Sequence, residues 1–267
     1  MLGNPIGHSL SPSIHSMFAQ QANIQMSYDK ELVPLNRFGM HVDKLVKEGI
    51  KGFNVTVPFK GDAFKKVSET DNNAAISMAV NTIKVDEDFK LRGFNTDGIG
   101  LVRDLVDRLG VALANSQILI LGAGGAARGI IGPLIERMPS RIVIANRTLE
   151  TAQKLVMHFK ELDQTSPLDW VSFDGLASSF DLIINTTSVG LEGKFDLLEG
   201  HIVENKICYD LSYGANAHFV SWARSAGAVS AADGLGMLVE QAAESFFIWH
   251  GKRPETQPVI DTLRSSH

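Results

Sequence analysis

Residues 118–127 read Ile118-Leu119-Ile120-Leu121-Gly122-Ala123-Gly124-Gly125-Ala126-Ala127, an apolar run that passes directly into a glycine-rich turn. A short, continuous apolar run is typical of a β-strand that is covered on both faces. Beyond the turn, apolar residues recur from Ile130 to Met138 at the spacing of one helix face. The stretch therefore predicts a buried strand, a tight turn and a helix in direct succession.

The same alternation continues after this helix. A second strand pattern at 142–145 leads into Asn146-Arg147-Thr148, and a helix pattern with one apolar face follows at 152–162. Two more apolar runs, 182–184 and 207–209, each end in polar residues. Strands and helices in this order build a parallel, doubly wound sheet. We therefore expect an α/β protein with a Rossmann-like unit over residues 98–235.

Residues 1–97 alternate less regularly and predict a separate α/β layer. Strand patterns occur at 28–33, 53–57, 80–85 and 91–94, and helix patterns at 12–22 and 36–48. Residues 235–250 are apolar on most sides, which is typical of a helix buried between structural units. A chain of 267 residues also exceeds the usual size of a single core. We predict two domains joined by linking helices: residues 1–97, completed by C-terminal helices within 236–267, and residues 98–235.

The composition is that of an ordinary globular protein, with 44% hydrophobic and 21% charged residues. The net charge of -5 does not favour nucleic acid or an anionic membrane as a partner. No run approaches the roughly 20 apolar residues of a membrane span, and no secretory leader pattern is evident. The single cysteine, Cys208, lies in an apolar run, so we expect a buried, inert thiol and a cytoplasmic location.

The glycine turn has the spacing G-x-G-x-x-G/A from Gly122 to Ala127. The first glycine permits the tight turn, the second lets the backbone approach a pyrophosphate, and the small last residue lets helix and strand pack closely. The N–H groups at the helix start then bind phosphate oxygens. The alternative is a tight turn that binds nothing. The surrounding strand, helix and strand favour a dinucleotide site formed by Gly122, Ala123, Gly124, Gly125 and Ala126.

The end of the second strand indicates which dinucleotide binds. An NAD site places an acidic residue there for the ribose hydroxyls, and an NADP site places a basic residue for the 2′-phosphate. This chain has Asn146, Arg147 and Thr148, with no acid among them. A solvated surface arginine is the alternative, and Glu150 follows closely. NADP is the favoured cofactor.

Polar clusters recur in the first half where strands should end. His8-Ser9-Leu10-Ser11-Pro12 sets two hydroxyls just before a helix, which suits either a carboxylate ligand or helix capping by Ser11. The other clusters are 54–60, which ends in Lys60, 80–82, and 95–98, which contains Asp97. Each one alone is better explained by turn chemistry or an exposed charge. Together they indicate a polar site, in which a lysine beside an aspartate could supply the proton needed to reduce a ketone.

These segments, in this order, resemble the motifs of shikimate dehydrogenases. The motifs are His8-Ser9-x-Ser11-Pro12, Asn54-Val-Thr-Val-Pro-Phe-Lys60, Asn81-Thr82, Asn95-Thr-Asp97-Gly98, Gly122-Ala-Gly-Gly-Ala126, Asn146-Arg-Thr148 and Asp233-Gly-Leu-Gly-Met237. The resemblance covers essentially the whole chain. It implies reversible reduction of 3-dehydroshikimate to shikimate with NADPH, in the route to chorismate and aromatic amino acids.

The resemblance also implies roles for individual residues. Substrate contacts would be Ser9, Ser11 and Tyr213 to the carboxylate, and Thr56, Asn81, Asp97 and Gln241 to ring hydroxyls. The catalytic pair would be Lys60 and Asp97. Cofactor contacts would be Gly122, Ala123, Gly124, Gly125 and Ala126 at the pyrophosphate, Asn146, Arg147 and Thr148 at the adenosine phosphate, and Leu211 and Gly234 at the nicotinamide. No metal is implied, and the protein would act as a monomer or homodimer on a small molecule.

Two alternatives remain open from the sequence. One is a quinate/shikimate dehydrogenase that uses NAD, although the Asn146–Thr148 segment argues against it. Thr151 stands where many NADP-specific members carry a second arginine, so we expect weaker selectivity for NADP. The other alternative is a non-catalytic nucleotide-binding protein, which could have lost Lys60 and Asp97, yet both are present.

Overall fold

The computed structural model describes residues 1–176, 179–189, 195 and 197–265. The chain separates into two compact units. The first unit comprises Met1–Gly100 together with Leu238–His267, and the second comprises Leu101–Met237. The sequence predicts these two boundaries at 97/98 and 235/236.

The first unit contains the two ends of the chain. Its elements are β1 (Leu2–Gly3), α1 (Ser11–Ala22), β2 (Glu31–Leu32), α2 (Phe38–Lys47), β3 (Gly52–Asn54), α3 (Lys60–Lys66), β4 (Glu69–Thr70), α4 (Asn72–Ser77), β5 (Thr82–Val85) and β6 (Leu91–Phe94). Helix α5 (Asp97–Arg103) leads into the second unit and continues as one π-helical turn, Asp104–Arg108.

The second unit is continuous in sequence. Its elements are β7 (Gln117–Leu121), α6 (Gly125–Ile135), β8 (Arg141–Ala145), α7 (Leu149–Leu162), β9 (Leu168–Val171), β10 (Leu182–Asn185), β11 (Ile207–Asp210), α8 (His218–Ser225) and β12 (Ser230–Ala232), with short 3₁₀ turns at Phe173–Gly175, Gly200–Ile202 and Gly214–Asn216. Helix α9 (Leu235–His250) leads back to the first unit, which α10 (Gln257–Ser265) completes.

The six strands of the second unit form one parallel sheet in the order β9-β8-β7-β10-β11-β12. This is the doubly wound order in which consecutive strands first run to one side of β7 and then, from β10, to the other. Strands β7 and β10 are buried throughout apart from Gln117, because helices cover both faces of such a sheet. The predicted α/β fold with a Rossmann-like unit is confirmed. Ligands of this architecture bind where the strand order reverses, beyond the ends of β7 and β10.

The first unit is built on a smaller mixed sheet of order β3-β5-β6-β4. Strand β5 pairs antiparallel with both β3 and β6, whereas β4 pairs parallel with β6. Strands β1 and β2 pair separately, and Leu2 forms a parallel bridge to Val55. The buried side chains of Phe53, Phe59 and Ile83 lie in the core of this unit.

Three of the four strands predicted in the first unit are shorter than their patterns, whereas β6 has the predicted bounds, 91–94. Only Glu31–Leu32 of the predicted strand 28–33 is paired, and β3 ends at Asn54 where the pattern ran to 57. The chain leaves β3 because Thr56 donates its backbone N–H to Leu2, on another strand, and Pro58 has no N–H to give. Among the described residues, no helix is long and apolar enough to cross a membrane.

Candidate active site

The Lys60 and Asp97 side chains meet in the first unit. Lys60 begins α3, Asp97 begins α5, and Lys60 Nζ lies 2.5 Å from Asp97 Oδ2. The two side chains are 24% and 10% exposed, so the pair is largely desolvated yet still reachable. The loop after β6 holds Asp97 in place because its backbone N–H donates to Asn95 Oδ1 at 3.1 Å. The sequence predicted these residues as a pair, and the structure brings them together.

Two further predicted residues join this pair. Asn81 Nδ2 lies 2.8 Å from Asp97 Oδ1 and 2.9 Å from Thr96 Oγ1. Gln241, on α9, reaches the same group with its Oε1, 3.5 Å from Asn81 Nδ2. Residues from the two ends of the chain therefore present an ammonium, a carboxylate and two amides at one place. These groups can donate to and accept from the hydroxyls of a small polyol.

The Ser9 and Ser11 hydroxyls, at the start of α1, interact with each other. Ser9 Oγ lies 3.1 Å from Ser11 Oγ and also accepts from the Ser11 backbone N–H at 3.3 Å. Ser11 is the first residue of α1, and the capping position is Leu10, whose side chain makes no capping hydrogen bond. The alternative that Ser11 caps this helix is therefore wrong.

The remaining predicted substrate contacts lie in different places. Thr56 is half-buried just beyond β3, and within the described part of the chain its hydroxyl has no hydrogen bond to Lys60 or Asp97. Tyr213 belongs to the second unit and immediately precedes the turn Gly214–Asn216. Burial raises the pKa of the Tyr213 phenol, so it remains a neutral donor.

The glycine turn follows β7 in the second unit. Gly122 has φ +99°, and a Cβ there would lie 2.7 Å from Thr186 Oγ1, so only glycine fits without strain. Gly124 and Gly125 instead have open space where a Cβ would stand. The first intrahelical bond of α6 is made by Arg128 N–H, and the capping position, Gly124, offers no side chain. The backbone N–H groups at the start of α6 are thus directed towards an open cradle, which fits a phosphate.

Asn146, Arg147 and Thr148 follow β8, the strand next to β7. Asn146 Nδ2 donates to the Thr148 carbonyl at 2.9 Å and holds the segment in a compact turn. Arg147 is exposed and, within the described part of the chain, has no hydrogen bond or ion pair. An unpaired guanidinium at this position suits a phosphate monoester better than a ribose hydroxyl.

Leu211 and Gly234 meet beyond the end of β11. Gly234 N–H donates to Ser212 O at 2.9 Å, and a Cβ on Gly234 would overlap the Leu211 carbonyl. Asp210, the last residue of β11, accepts from Asn185 Nδ2 at 3.2 Å and from the Ser212 N–H at 3.0 Å. Burial raises the pKa of the Asp210 carboxyl to about 6. The structure thus brings together the two residues predicted at the nicotinamide end.

Two further features concern cysteine and metal chemistry. Cys208 is 1% exposed, and burial raises the pKa of its thiol to about 12, which makes it unreactive at neutral pH. Across the described ranges, no group of three or more His, Cys, Asp or Glu side chains is placed to hold a metal ion.

Some polar residues near Asp97 were missed by the sequence analysis. Tyr28, Asn54, Thr82 and Ser245 form buried hydrogen bonds that lead to Asn81. Asn54 and Thr82 stood inside recognised motifs but received no role. Ser245 had a usable signal, because it lies four residues after Gln241 and therefore on the same face of α9.

The fold and these groups define the class of protein. A doubly wound unit with a phosphate cradle, joined in one chain to a unit that carries a lysine–aspartate pair, is typical of a nicotinamide-dependent oxidoreductase. Three family models match the chain: "Shikimate dehydrogenase substrate binding domain" over residues 1–83, "Shikimate / quinate 5-dehydrogenase" over 104–191 and "Shikimate 5'-dehydrogenase C-terminal domain" over 234–264.

Individual proteins agree with these models. The shikimate dehydrogenase (NADP(+)) of Ruthia magnifica is 48% identical over 267 residues, covering 99% of this chain and 98% of that protein. An Ael1 enzyme from Pseudomonas putida is similar in structure, with a TM-score of 0.91, 38% identity and coverage of 98% and 96%. The shikimate 5-dehydrogenase of Thermus thermophilus, solved with NADP(H) and shikimate, has a TM-score of 0.88, 30% identity and coverage of 100% and 98%. The chain belongs to the shikimate dehydrogenase family, and the predicted resemblance is confirmed.

Proposed function

We propose that this protein catalyses the reversible reduction of 3-dehydroshikimate to shikimate with NADPH, and that Lys60 and Asp97 are its catalytic pair. Membership of the family makes the chain an NADP-dependent oxidoreductase that acts on a CH–OH group, in the pathway to chorismate and aromatic amino acids. The observation that carries the catalytic assignment is the 2.5 Å contact between Lys60 Nζ and Asp97 Oδ2.

The substrate is a cyclic hydroxy acid, and the first unit offers groups for both its parts. The paired hydroxyls of Ser9 and Ser11 suit the carboxylate. The family resemblance adds Tyr213, a residue of the second unit, as a proposed further donor. Asn81, Asp97 and Gln241 lie together and suit the ring hydroxyls. Thr56 is proposed as a hydroxyl contact from the family resemblance, without a direct contact to the pair.

The pair supplies proton chemistry at the reacting oxygen. NADPH, when bound, supplies the hydride. Lys60 donates a proton to the developing alkoxide in reduction and takes it back in oxidation, and Asp97 holds the ammonium in place through its Oδ2. Asn81 occupies Asp97 Oδ1, which leaves Oδ2 directed at the lysine. General acid–base assistance of this kind contributes about 10²- to 10⁴-fold in rate.

The cofactor contacts follow from the open cradle of the second unit. The N–H groups at the start of α6, over residues 122–126, hold the pyrophosphate. Arg147 binds the 2′-phosphate, with Asn146 and Thr148 shaping the turn around it. Leu211 and Gly234 line the nicotinamide end, where the tight approach of their backbones requires glycine.

A matrix of initial rates tests this function. We expect the highest kcat/KM for shikimate with NADP⁺, followed through the absorbance of the reduced nicotinamide. Faster turnover of quinate with NAD⁺ would replace the proposal with a quinate dehydrogenase, a possibility named by the family model itself. Binding of NADP⁺ without turnover of either acid would identify a nucleotide-binding protein that is not an enzyme.

The setting of the reaction is also part of the proposal. A lone buried cysteine and a small-molecule substrate suit work in the reducing cytoplasm, as a monomer or homodimer. The net charge of -5 makes nucleic acid an unfavourable partner.

A further inference from the structure

A run of hydrogen-bonded side chains leads away from Asp97 into the first unit. Its first member is Asn81, whose Nδ2 lies 2.8 Å from Asp97 Oδ1. The Thr96 backbone N–H lies 3.0 Å from Asn81 Oδ1. Because a backbone N–H can only donate, it establishes which end of the Asn81 amide is the oxygen. The amide nitrogen of Asn81 is therefore the end that donates to the carboxylate.

Thr82 continues the run on the other side of the Asn81 amide. Its Oγ1 lies 2.9 Å from Asn81 Oδ1 and 2.9 Å from Asn54 Nδ2. An amide oxygen only accepts and an amide nitrogen only donates. The Thr82 hydroxyl therefore gives its one proton to Asn81 and accepts a hydrogen bond from Asn54.

A second backbone group orients Asn54. Asn54 Nδ2 lies 3.2 Å from the Asn81 carbonyl oxygen, which can only accept, so Asn54 Oδ1 faces the opposite way. The Tyr28 hydroxyl lies 2.6 Å from that oxygen and must be the donor. Every bond thus has the same direction, from the phenol of Tyr28 through Asn54, Thr82 and Asn81 to the carboxylate of Asp97.

Water has little access to this chain of hydrogen bonds. Asn54 and Asn81 are 5% and 3% exposed, and Thr82 is fully buried. Ser245 is also fully buried and lies beside this run of hydrogen bonds, with its Oγ 2.8 Å from Thr82 Oγ1. In such surroundings successive hydrogen bonds polarise one another, so a donor at one end strengthens donation at the other. Removing one member leaves a buried partner unsatisfied.

Aromatic packing holds Tyr28, the residue at the far end of this run of hydrogen bonds. The Tyr28 ring is held by stacking on His15, with ring centroids 4.2 Å apart and planes 14° from parallel. The Tyr28 phenol is therefore held in position to donate to Asn54 Oδ1.

We propose that Tyr28 is a positioning residue for the Lys60–Asp97 pair, acting through Asn54, Thr82 and Asn81. The proposal rests on the function proposed above. It assigns to Tyr28 no contact with the reacting atoms. Its effect is to hold the Asn81 amide on Asp97 Oδ1, so that Oδ2 remains directed at Lys60.

Tyr28→Phe tests this role because it removes the phenol oxygen and keeps the ring that stacks on His15. We expect kcat for shikimate oxidation to fall by about tenfold, the range for one buried donor, with the KM for NADP⁺ unchanged. Thr82→Val, which removes a later donor, should lower kcat similarly, and Thr82→Ser, which retains the hydroxyl, should restore it. Tyr209→Phe is the matched control, since it removes a buried phenol oxygen from the second unit and should leave kcat near the wild-type value.

The double variant Tyr28→Phe/Thr82→Val distinguishes positioning from simple loss of stability. If both residues act through one chain, the double variant loses hardly more kcat than either single variant. Additive losses would overturn the proposal, as would a wild-type kcat in Tyr28→Phe or a failure of Thr82→Ser to restore activity. A wild-type protein that binds NADP⁺ but does not oxidise shikimate would instead remove the proposed function, and the role of Tyr28 with it. Thermal unfolding of each variant confirms that the assays compare folded proteins.

Discussion

Lys60 is the residue on which the proposed chemistry most depends. Its side chain is 24% exposed, and its ammonium contacts only one carboxylate among the described residues, that of Asp97. Lys66, six positions along in the same helix, instead pairs with Asp43 at 2.6 Å. The two lysines lie on the same helix but pair with different carboxylates. Comparing variants at the two positions therefore separates the effect of losing the Lys60–Asp97 pair from the effect of losing any lysine of α3.

Lys60→Ala should lower kcat by about 10²-fold or more, because it removes the proposed proton donor to the reacting oxygen. Lys66→Ala should leave kcat near the wild-type value. Steady-state rates of shikimate oxidation measure both. A Lys60→Ala enzyme with unchanged kcat would remove the lysine from the mechanism.

Arg147 carries the predicted preference for the phosphorylated cofactor. Arg147→Ala should weaken NADP⁺ binding by about 1.5–3 kcal/mol, the scale of a charged hydrogen bond, and leave NAD⁺ binding nearly unchanged. Calorimetric titration with each nucleotide gives the two values. Arg141→Ala is the control, because Arg141 lies at the opposite end of β8 and pairs with Asp169 at 2.5 Å. Equal losses for both nucleotides in Arg147→Ala would assign the arginine to the fold instead.

At the scale of elements, two glycines in the turn from β7 into α6 serve different purposes, one for the backbone conformation and one for the space above the turn. Gly122 needs its positive φ and lacks room for a Cβ, whereas Gly125 has open space above it. Gly122→Ala should destabilise the protein by about 1–3 kcal/mol, the cost of a strained backbone position.

Gly125→Ala should leave the free energy of unfolding almost unchanged, since alanine is well tolerated at the start of a helix. It should nevertheless weaken NADP⁺ binding, because the new methyl group stands where the pyrophosphate is proposed to lie. Urea unfolding and nucleotide titration of both variants separate the two effects. Unchanged affinity in Gly125→Ala would move the phosphate away from this turn.

The elements that the sequence predicted well are those with a strong local pattern. Strand β7 buries a continuous apolar run and helix α9 is apolar on most sides, and each was predicted within one residue of its observed bounds. Strands β9 and β12 were missed because their patterns are weak: only Leu168 of β9 is fully buried, and β12 consists of Ser230, Ala231 and Ala232. These two strands form because they pair with β8 and β11 in the sheet, and a local sequence pattern does not reveal such partners.

The same distinction applies to the candidate site. Lys60 and Asp97 lie in sequence motifs that indicate a polar site, and their contact could be predicted from the sequence. The apolar spacing of Leu101, Leu105 and Leu109 predicts ordinary α-helix, whereas the structure has a π-helical turn at Asp104–Arg108. The turn accompanies the burial of Asp104, which accepts from Tyr209 at 2.6 Å, a partner more than a hundred residues away in the chain. Tyr28 was missed for the same reason, since its partner Asn54 is distant in sequence.

At the scale of the whole molecule, one buried histidine should influence acid stability. His15 is fully buried, and neither ring nitrogen has a hydrogen-bond partner, although Asn54 lies nearby. Burial lowers the pKa of the His15 imidazole to about 3, whereas an unfolded histidine titrates near 6.5. Below a pH of about 6.5 the unfolded chain binds a proton at His15 that the folded chain does not bind. The free energy of unfolding therefore decreases as the pH falls below neutrality.

Between about pH 8 and about pH 5 this difference is worth about 2 kcal/mol. His15→Leu should therefore lose about 2 kcal/mol less stability than the wild type over that interval, as measured by urea unfolding at both pH values. His8→Gln, a change at an exposed histidine, serves as the control and should behave like the wild type. A His15→Leu protein with the wild-type pH dependence would show that the imidazole is protonated inside the fold.

The first unit is assembled from Met1–Gly100 and Leu238–His267, whereas the second is one uninterrupted segment. On the ribosome, the six-stranded sheet is complete as soon as Met237 has emerged, and it can fold while synthesis continues. The unit that holds Lys60 and Asp97 is made first but must wait for α9, which brings Gln241 and Ser245, before its polar groups are all satisfied. Residues translated early are thus completed late, because their polar partners on α9 are translated more than a hundred residues after them.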